Sequence, residues 1–590
     1  MKNKIFIVLL TTIFLSGCIK DTLDRKPLNI ISDMDVWASE PMMDIYMAKL
    51  YDNIIMAQDF TYNGTTISEL SDEGTAIQQH TPTYVDYGNH TLTLNTGAYA
   101  WIRKANYFMQ KAQTATISAA RIKQYIAEAR FIRAFYYFDL VKKYGGMPII
   151  EEVQTFDNNL ADLQVPRNKE EEVYDYILKE LDAASADLPD SWDASNSNRA
   201  TKMVAMSLKS RAALYAGSIA KYGTVQLNGL VGIPAAKAST YFTAALNASK
   251  AVMDSKKYSL YTKSYDPVAK SGDPIKNYQD IFSVKNNSEV IFQKAFQYPD
   301  KGHDWDLVMA PDGFVGVGSN LCPVLELVEA YEYTDGTPGT LNYEGKQFDS
   351  PDELFKNKDP RCDATILRSN TPTGWGRPMS MWAGIYDTDG KLYALRGSVF
   401  PKDPSMLQIG LDGPYPSGKP AKSGFYLRKL LNLTKLTNLS GGYSDQNWVE
   451  LRLAEVMLNY TEAALELGTN LTEALNAINQ IRSRAGIRAL TAGELTMDRL
   501  RNEKRVELAF EGKRFWDMKR WRISKDIFNN TQLHGLWPYL QYTGSGYKYI
   551  YKKVTGTPME LPRVFSERDY YSTLAGYRST NNNIINNPGW

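Results

Sequence analysis

The sequence predicts a mainly α-helical protein, built from paired amphipathic helices around a loop-rich insertion of mixed structure. Three observations carry this. Apolar residues recur at spacings of three and four in successive windows over 101–253. That period vanishes between about residues 259 and 446, where Gly, Pro, Asp, Ser and Trp crowd together, and it returns from 448 onward.

The chain opens with Lys2 and Lys4, an apolar run from Ile5 to Leu15, and then Leu15-Ser16-Gly17-Cys18. A basic start, an apolar stretch and small residues before a cleavage point make an export signal. The run is shorter than the roughly 20 residues that cross a bilayer. A cysteine at the new N-terminus is the mark of a lipobox, so Cys18 is expected to carry lipid and 1–17 to be removed. A diacylglycerol together with an amide-linked acyl chain tethers durably where a single chain does not.

Helices follow in order. Windows 101–115 and 122–140 are amphipathic, the latter closed by Gly145-Gly146 with Pro148 beyond. Residues 170–188 carry Val173, Ile177, Leu181, Ala184 and Leu188 as one stripe, ended by Pro189. Windows 202–221 and 241–253 are Ala- and Tyr-rich. Consecutive helices of this composition joined by short turns suggest stacked hairpins of the tetratricopeptide kind. In the insertion, Asp335-Gly336, Asp387-Thr388-Asp389-Gly390, Asp412-Gly413-Pro414 and Ser417-Gly418 are turn signals. Helices are then predicted over 448–467, 472–485 and 495–521. The expected division is 1–17 signal, 18–258 N-terminal helices, 259–446 variable region and 447–590 C-terminal helices and tail, with the two helical regions packing as one body.

Composition narrows the function. With 43% hydrophobic and 23% charged residues a large core is expected and disorder is not. Sixty-seven basic against 66 acidic residues, without a basic block, argue against nucleic acid as partner. Only His80, His90, His303 and His534 are present and no CxxC spacing occurs, so neither a catalytic triad nor a zinc site is expected. Cys322 and Cys362 make two free thiols or one bridge, with free thiols the preferred reading. Thirty-eight Tyr and 11 Trp are an unusual excess, and in an exported, nearly uncharged protein they point to a neutral polar ligand such as a glycan.

Several stretches carry a resemblance. Glu128-Ala129-Arg130-Phe131-Ile132-Arg133-Ala134-Phe135-Tyr136-Tyr137, followed by Tyr144-Gly145-Gly146-Met147-Pro148, resembles the hallmark of SusD/RagB lipoproteins. Arg501-Asn502-Glu503-Lys504-Arg505-Val506-Glu507-Leu508-Ala509-Phe510-Glu511-Gly512 with Arg514-Phe515-Trp516-Asp517 is similar to that family's C-terminal signature helix. Ser288-Glu289-Val290-Ile291-Phe292, Asp359-Pro360-Arg361, Leu451-Arg452-Leu453-Ala454-Glu455, Ile481-Arg482-Ser483-Arg484-Ala485-Gly486 and Asn587-Pro588-Gly589-Trp590 also fit, in family order. The resemblance implies a SusD-like fold and a lipid-anchored outer-membrane protein facing the exterior. It also implies a SusC-like TonB-dependent transporter as partner, an oligosaccharide ligand (or a peptide, in the RagB branch), and no enzymatic activity.

Two stretches are candidates for the ligand. Tyr84, Tyr87 and Asn89 precede the helix containing Trp101, where family members often place an aromatic residue and an asparagine. Within the insertion, Trp305, Trp375, Arg377, Trp382 and Tyr386 supply flat rings and a hydrogen-bond donor. No cofactor is expected; Asp387 and Asp389 form an incomplete calcium-loop pattern that lacks the trailing Glu. Glu503, Glu507 and Glu511 lie at i, i+4 spacing and would suit a glycosidase pair, but beside Arg501, Arg505 and Arg514 they read as an ion-pair network. Asp72-Glu73 is read as structural. A purely protein-binding helical scaffold is the remaining alternative.

Overall fold

The computed structural model describes residues 36–54, 66–76, 97–315, 318–319, 321–415, 421–432, 443–555 and 562–590. Its principal helices are α1 (Glu40–Asp52), α2 (Ala98–Ala112), α3 (Ala119–Tyr144), α4 (Glu170–Asp187), α5 (Lys202–Tyr222), α6 (Ala238–Asp254), α7 (Pro274–Ser283), α8 (Leu453–Leu467), α9 (Leu471–Arg484), α10 (Met497–Glu507) and α11 (Arg514–Arg520). Each packs on its neighbour from α2 to α6, α6 then packs on α8, and α8 on α9. The helical scaffold therefore runs unbroken across the insertion.

Local sequence explains the boundaries. Ser118 caps α3 by accepting from the Arg121 amide at 3.3 Å, and Gly145 ends it at φ 74°, in the region that favours glycine. The middle of α3, residues 131–141, is buried on all sides, so it lies inside the stack. Buried Arg133 reaches Glu180 of α4 at 2.6 and 2.9 Å and Asn106 of α2 at 2.7 Å, fastening three helices. Between α5 and α6 small residues permit close approach. A Cβ on Gly217 would stand 2.7 Å from the Phe242 ring. Gly217→Ala is thus expected to cost about 1–2 kcal/mol through overpacking, read as a lower midpoint in urea unfolding.

The strands are few and short. They include β1 (Gly74–Ala76), β2 (Val290–Lys294), β3 (Leu321–Pro323), β4 (Ile385–Tyr386), β5 (Leu392–Tyr393), β6 (Trp448–Arg452), β7 (Gly535–Tyr542) and β8 (Tyr547–Val554). β1 pairs with β3 and β2 with β6, both antiparallel. A four-stranded sheet has the order β8-β7-β4-β5, with β7 and β4 parallel. It joins a hairpin from the C-terminal region to two strands of the insertion. The tail returns as well: Asn587 accepts from Arg167 at 2.9 Å and donates to the Tyr144 carbonyl at 3.1 Å, pinning the end of the chain to the end of α3.

Three readings of the sequence are corrected. The window 448–467 is strand and then helix, because 448–452 finds a pairing partner in β2. The window 495–521 breaks between α10 and α11, where Phe510 and Gly512 adopt φ of 58° and 68°. The carboxylates of the signature also pair with more distant cations than Arg501, Arg505 and Arg514. Glu503 takes Arg361 (2.6 Å) and Arg482 (2.8 Å); Glu507 takes Arg361 (2.7 Å), Arg452 (2.6 Å) and Arg484; Glu511 takes Arg452 (2.7 Å) and Lys429 (2.8 Å). Glu503 and Glu507 share the Arg361 guanidinium from one face of α10, and Glu507 and Glu511 share that of Arg452 across the break. Arg505 and Arg514 instead hold Asp72, at 3.0 and 2.8 Å. Phe510, Phe515 and Trp516 are core, as read. Cys322 and Cys362 are free and buried, and burial pushes the Cys362 thiol up to about 12.

Candidate functional site

Cys18, Tyr84, Tyr87 and Asn89 lie outside the described residues. Trp305 does not reach the surface: it is 1% exposed and belongs to the main core. Its neighbours explain why. His303 bonds the Gln446 carbonyl at 3.0 Å, and the Asp306 carboxylate accepts from Gln446 (2.8 Å) and Ser444 (3.0 Å), so the short helix Trp305–Met309 is drawn inward. The expectation that Trp305 presents a ring to a ligand is therefore corrected.

Trp375 and Arg377 meet at one corner of the insertion. The Arg377 guanidinium lies 3.9 Å over Phe314 and forms two bonds to Asp412, at 2.5 and 2.9 Å. The Trp375 ring contacts the same Phe314 at 5.1 Å, with its indole N–H on the Asn432 carbonyl at 3.0 Å. Both side chains are half-buried and act as fastenings between loops. Trp382 bonds the Leu407 carbonyl at 3.0 Å and packs against Ile385, Phe400 and Leu540. Tyr386 differs from these. It is partly exposed on the four-stranded sheet, 5.5 Å from the Tyr539 ring, and Lys552 donates to its hydroxyl at 2.6 Å from a position 4.4 Å over the ring.

A polar cleft that sequence reasoning missed lies between α1, the turn at 195–199 and β2. It has a volume of about 470 Å3, and Asp52, Asn196, Asn198, Gln293, Lys294 and Lys301 are among its walls. The turn is held by Arg199, which makes two bonds to Glu128 of the family-like α3 motif (2.6 and 2.5 Å) and one to Asp44 (2.7 Å). Burial outweighs these contacts and raises the Glu128 carboxyl. Within the cleft Lys301 pairs with Asp52 at 2.5 Å, and the Lys294 ammonium donates to the Asp52 backbone carbonyl at 3.0 Å. Gln293 donates to both Asn198 (3.0 Å) and Asn286 (2.7 Å). Those bonds end on carbonyl oxygens and so do not use the NH2 groups of the two asparagines. In the turn closed by Gln297 and Lys301, outside the walls of the cleft, Tyr298 is 43% exposed and stacks on Tyr443 at 4.8 Å and 25°. The run Ser195-Asn196-Ser197-Asn198 and the aromatic residues following Phe292 were the available sequence signals.

The signature carboxylates do not face this cleft. Glu503, Glu507 and Glu511 are buried, each with two or more cationic partners. Asp387 accepts from Lys402 at 2.7 Å, and Asp389 closes its own turn on the Lys391 amide at 3.0 Å.

Residues 288–590 match the SusD family, and residues 21–214 match a family described as starch-binding associating with outer membrane. A SusD-like protein of Bacteroides ovatus is 25% identical over 542 residues, covering 88% of this chain and 83% of that one. A solved SusD-like protein of Bacteroides fragilis superposes with a TM-score of 0.71 at 24% identity, covering 96% of this chain and all of the other. Surface glycan-binding protein A of Bacteroides fluxus superposes at 0.60 and 17% identity, over 94% of this chain and all of that one. These two likenesses bear on the fold. No helix among the described residues is long and apolar enough to cross a membrane. With the family match covering more than half its length and the signature residues placed as one buried ion-pair network, this chain is a member of the SusD family.

Proposed function

We propose that the protein binds neutral oligosaccharides at the surface of the outer membrane, anchored through acylated Cys18, and passes them uncleaved to a SusC-like TonB-dependent transporter. The observation that carries the reading is the cleft beside Lys301. Lys301 and Asp52 are paired with each other, the side-chain amides of Asn196, Asn198 and Gln293 line the walls, and the Tyr298–Tyr443 stack starts in the turn that Lys301 closes, which together offer what a polyhydroxylated ring needs. A sugar presents an apolar C–H face to aromatic rings and hydroxyls to amides. Family membership and the glycan-binding relative support the same ligand class. Tyr386, paired with Tyr539, is a second candidate contact, with Trp375, Arg377 and Trp382 supporting the loops around it. Tyr84, Tyr87 and Asn89 are further candidate contacts, chosen for their composition.

Stacking of this kind gives micromolar to millimolar affinity, roughly −8 to −4 kcal/mol, which suits a carrier that must release. Expected on a glycan array is retention of one neutral glycan class, with no shorter fragments appearing over hours of incubation. Calorimetry on that glycan is expected to show about a tenfold loss for Gln293→Ala combined with Tyr298→Ala. Retention of peptides only, or the appearance of cleavage products, overturns the reading.

A further inference from the structure

We infer that the ligand is an extended oligosaccharide held in two adjoining chambers at once, so that the site selects by chain length. The inference rests on the glycan-binding reading above. A second cavity, of about 520 Å3, lies across the turn at 195–199 from the polar cleft, and the two share Ser197, Asn198, Arg199, Phe292 and Gln293 as walls. Pockets that hold one small organic molecule measure about 300–1,000 Å3, and each chamber alone falls in that range. The first is bounded by α1 and Lys301, the second by Trp192, Lys257, Tyr258 and Asn286.

The second chamber repeats the chemistry of the first. Trp192 is half-buried in its wall, its indole N–H fixed on the Ala200 carbonyl at 2.8 Å and the Arg199 guanidinium 4.7 Å from the ring centre, so the ring keeps one orientation. Tyr258, also half-buried, supplies another ring. The charged walls are paired within the protein: Lys257 meets Asp190 at 2.9 Å, and Arg199 is taken by Glu128 at 2.6 Å. Flat rings and amides beside ions that already have partners suit an uncharged sugar unit.

A ridge of side-chain amides joins the chambers. Gln293, 6% exposed, donates to the carbonyl oxygens of Asn198 and Asn286, and so holds both side chains in place without using their NH2 groups. Asn198 and Gln293 line both cavities, Asn196 lines the first and Asn286 the second, so amides continue from one chamber into the other. A glycan repeats its C–H faces and hydroxyls at every ring, and a chain crossing the ridge meets rings and amides on either side of it. A single sugar reaches one chamber only. Once one unit of a chain is seated, the next binds its chamber as an intramolecular event, which raises affinity without any new kind of contact.

The test uses the mature chain on a printed array of neutral gluco-, manno-, galacto- and xylo-oligosaccharides, each linkage present from mono- to heptasaccharide, followed by calorimetry on the linkage retained. The expected result is that the hexasaccharide binds at least about tenfold more tightly than the disaccharide. Ser191 is exposed and lines the second chamber but not the first, so Ser191→Trp plugs that chamber alone. This variant is expected to keep its unfolding midpoint and to lose most of the difference between the two lengths, through weaker binding of the hexasaccharide. Trp192→Ala is expected to shrink the same difference by removing the ring. Equal affinity for the two lengths overturns the two-chamber inference and leaves the glycan reading standing. So does a hexasaccharide that binds Ser191→Trp as tightly as the unaltered protein. An array that retains no oligosaccharide of any length overturns both.

Discussion

Glu507→Ala is expected to lower the stability of the protein by about 3–5 kcal/mol. Glu507 is fully buried and accepts from Arg361, Arg452 and Arg484. Burial by itself would raise its pKa, but the guanidiniums of Arg484, Arg452 and Arg361 more than offset that and hold the carboxyl well below the usual carboxylate range. Removing it leaves buried cations short of counter-charge. The three arginines come from distant parts of the chain, so the insertion, the strand before α8 and the end of α9 all lose a common tie. Urea unfolding of the variant measures the loss. Glu567→Ala serves as comparison: its side chain is 72% exposed and pairs with Lys525, and its removal is expected to cost less than about 1 kcal/mol. Equal effects from the two substitutions would remove the buried network from its central place. Because the folded pKa of Glu507 is depressed, its contribution is complete above the unfolded value near 4.5 and is lost as the pH falls below it.

Glu73→Gln is expected to act in the opposite direction, raising stability by about 2–4 kcal/mol at neutral pH. Burial first, and then the adjacent Asp72 carboxylate, push Glu73 up to about 8. It is 1% exposed and accepts from the Phe510 amide at 3.2 Å and from Ser71 at 3.3 Å. The folded protein therefore keeps a proton on Glu73 that the unfolded chain has already released above about 4.5. Stability from this group falls as the pH rises from 4.5 toward 8, and a glutamine, which can accept from the Phe510 amide through its carbonyl and donate to Ser71 Oγ from its NH2 without titrating, abolishes that loss. Unfolding free energies of the two proteins should converge near pH 4 and separate progressively up to pH 8. A constant difference across that range would show that Glu73 does not titrate in this way. Asp72 behaves inversely: burial would raise it, but Arg505 and Arg514 hold it far below its usual range, so its contribution is lost on acidification.

The scaffold was legible in the sequence because long amphipathic helices repeat one signal many times. The predicted windows 122–140, 170–188 and 202–221 correspond to α3, α4 and α5, with ends set by Gly145, Pro189 and the turn after Tyr222. What escaped was decided by tertiary contact. Residues 448–452 read as the start of a helix until β2 is present to pair with them, and Phe510 in a left-handed conformation, of order 1–3 kcal/mol in strain, is stable only because buried ion pairs require the turn. The hairpin of β7 and β8 carried a usable cue in Gly544 and Gly546 between Tyr-rich strands. The α1 and α7 helices were missed because each spans too few turns for its apolar stripe to stand out. For the ligand, composition picked out large rings but not which of them face outward. Trp305 is core and Trp375 is tied to Phe314, whereas the polar cleft is walled by Asn196, Asn198 and Gln293, short amides that carry no distinctive pattern until Arg199 folds them together.

Cys322 and Cys362 stay protonated inside the folded protein, and with a thiol at about 12 the reactive thiolate of Cys362 is on the order of 10⁻⁵ of the total at pH 7. Maleimide dyes consequently find no reactive thiol at Cys322 or Cys362. One cysteine introduced at the partly exposed Tyr386 can carry a fluorophore, turning the molecule into its own reporter of whatever meets that edge of the four-stranded sheet.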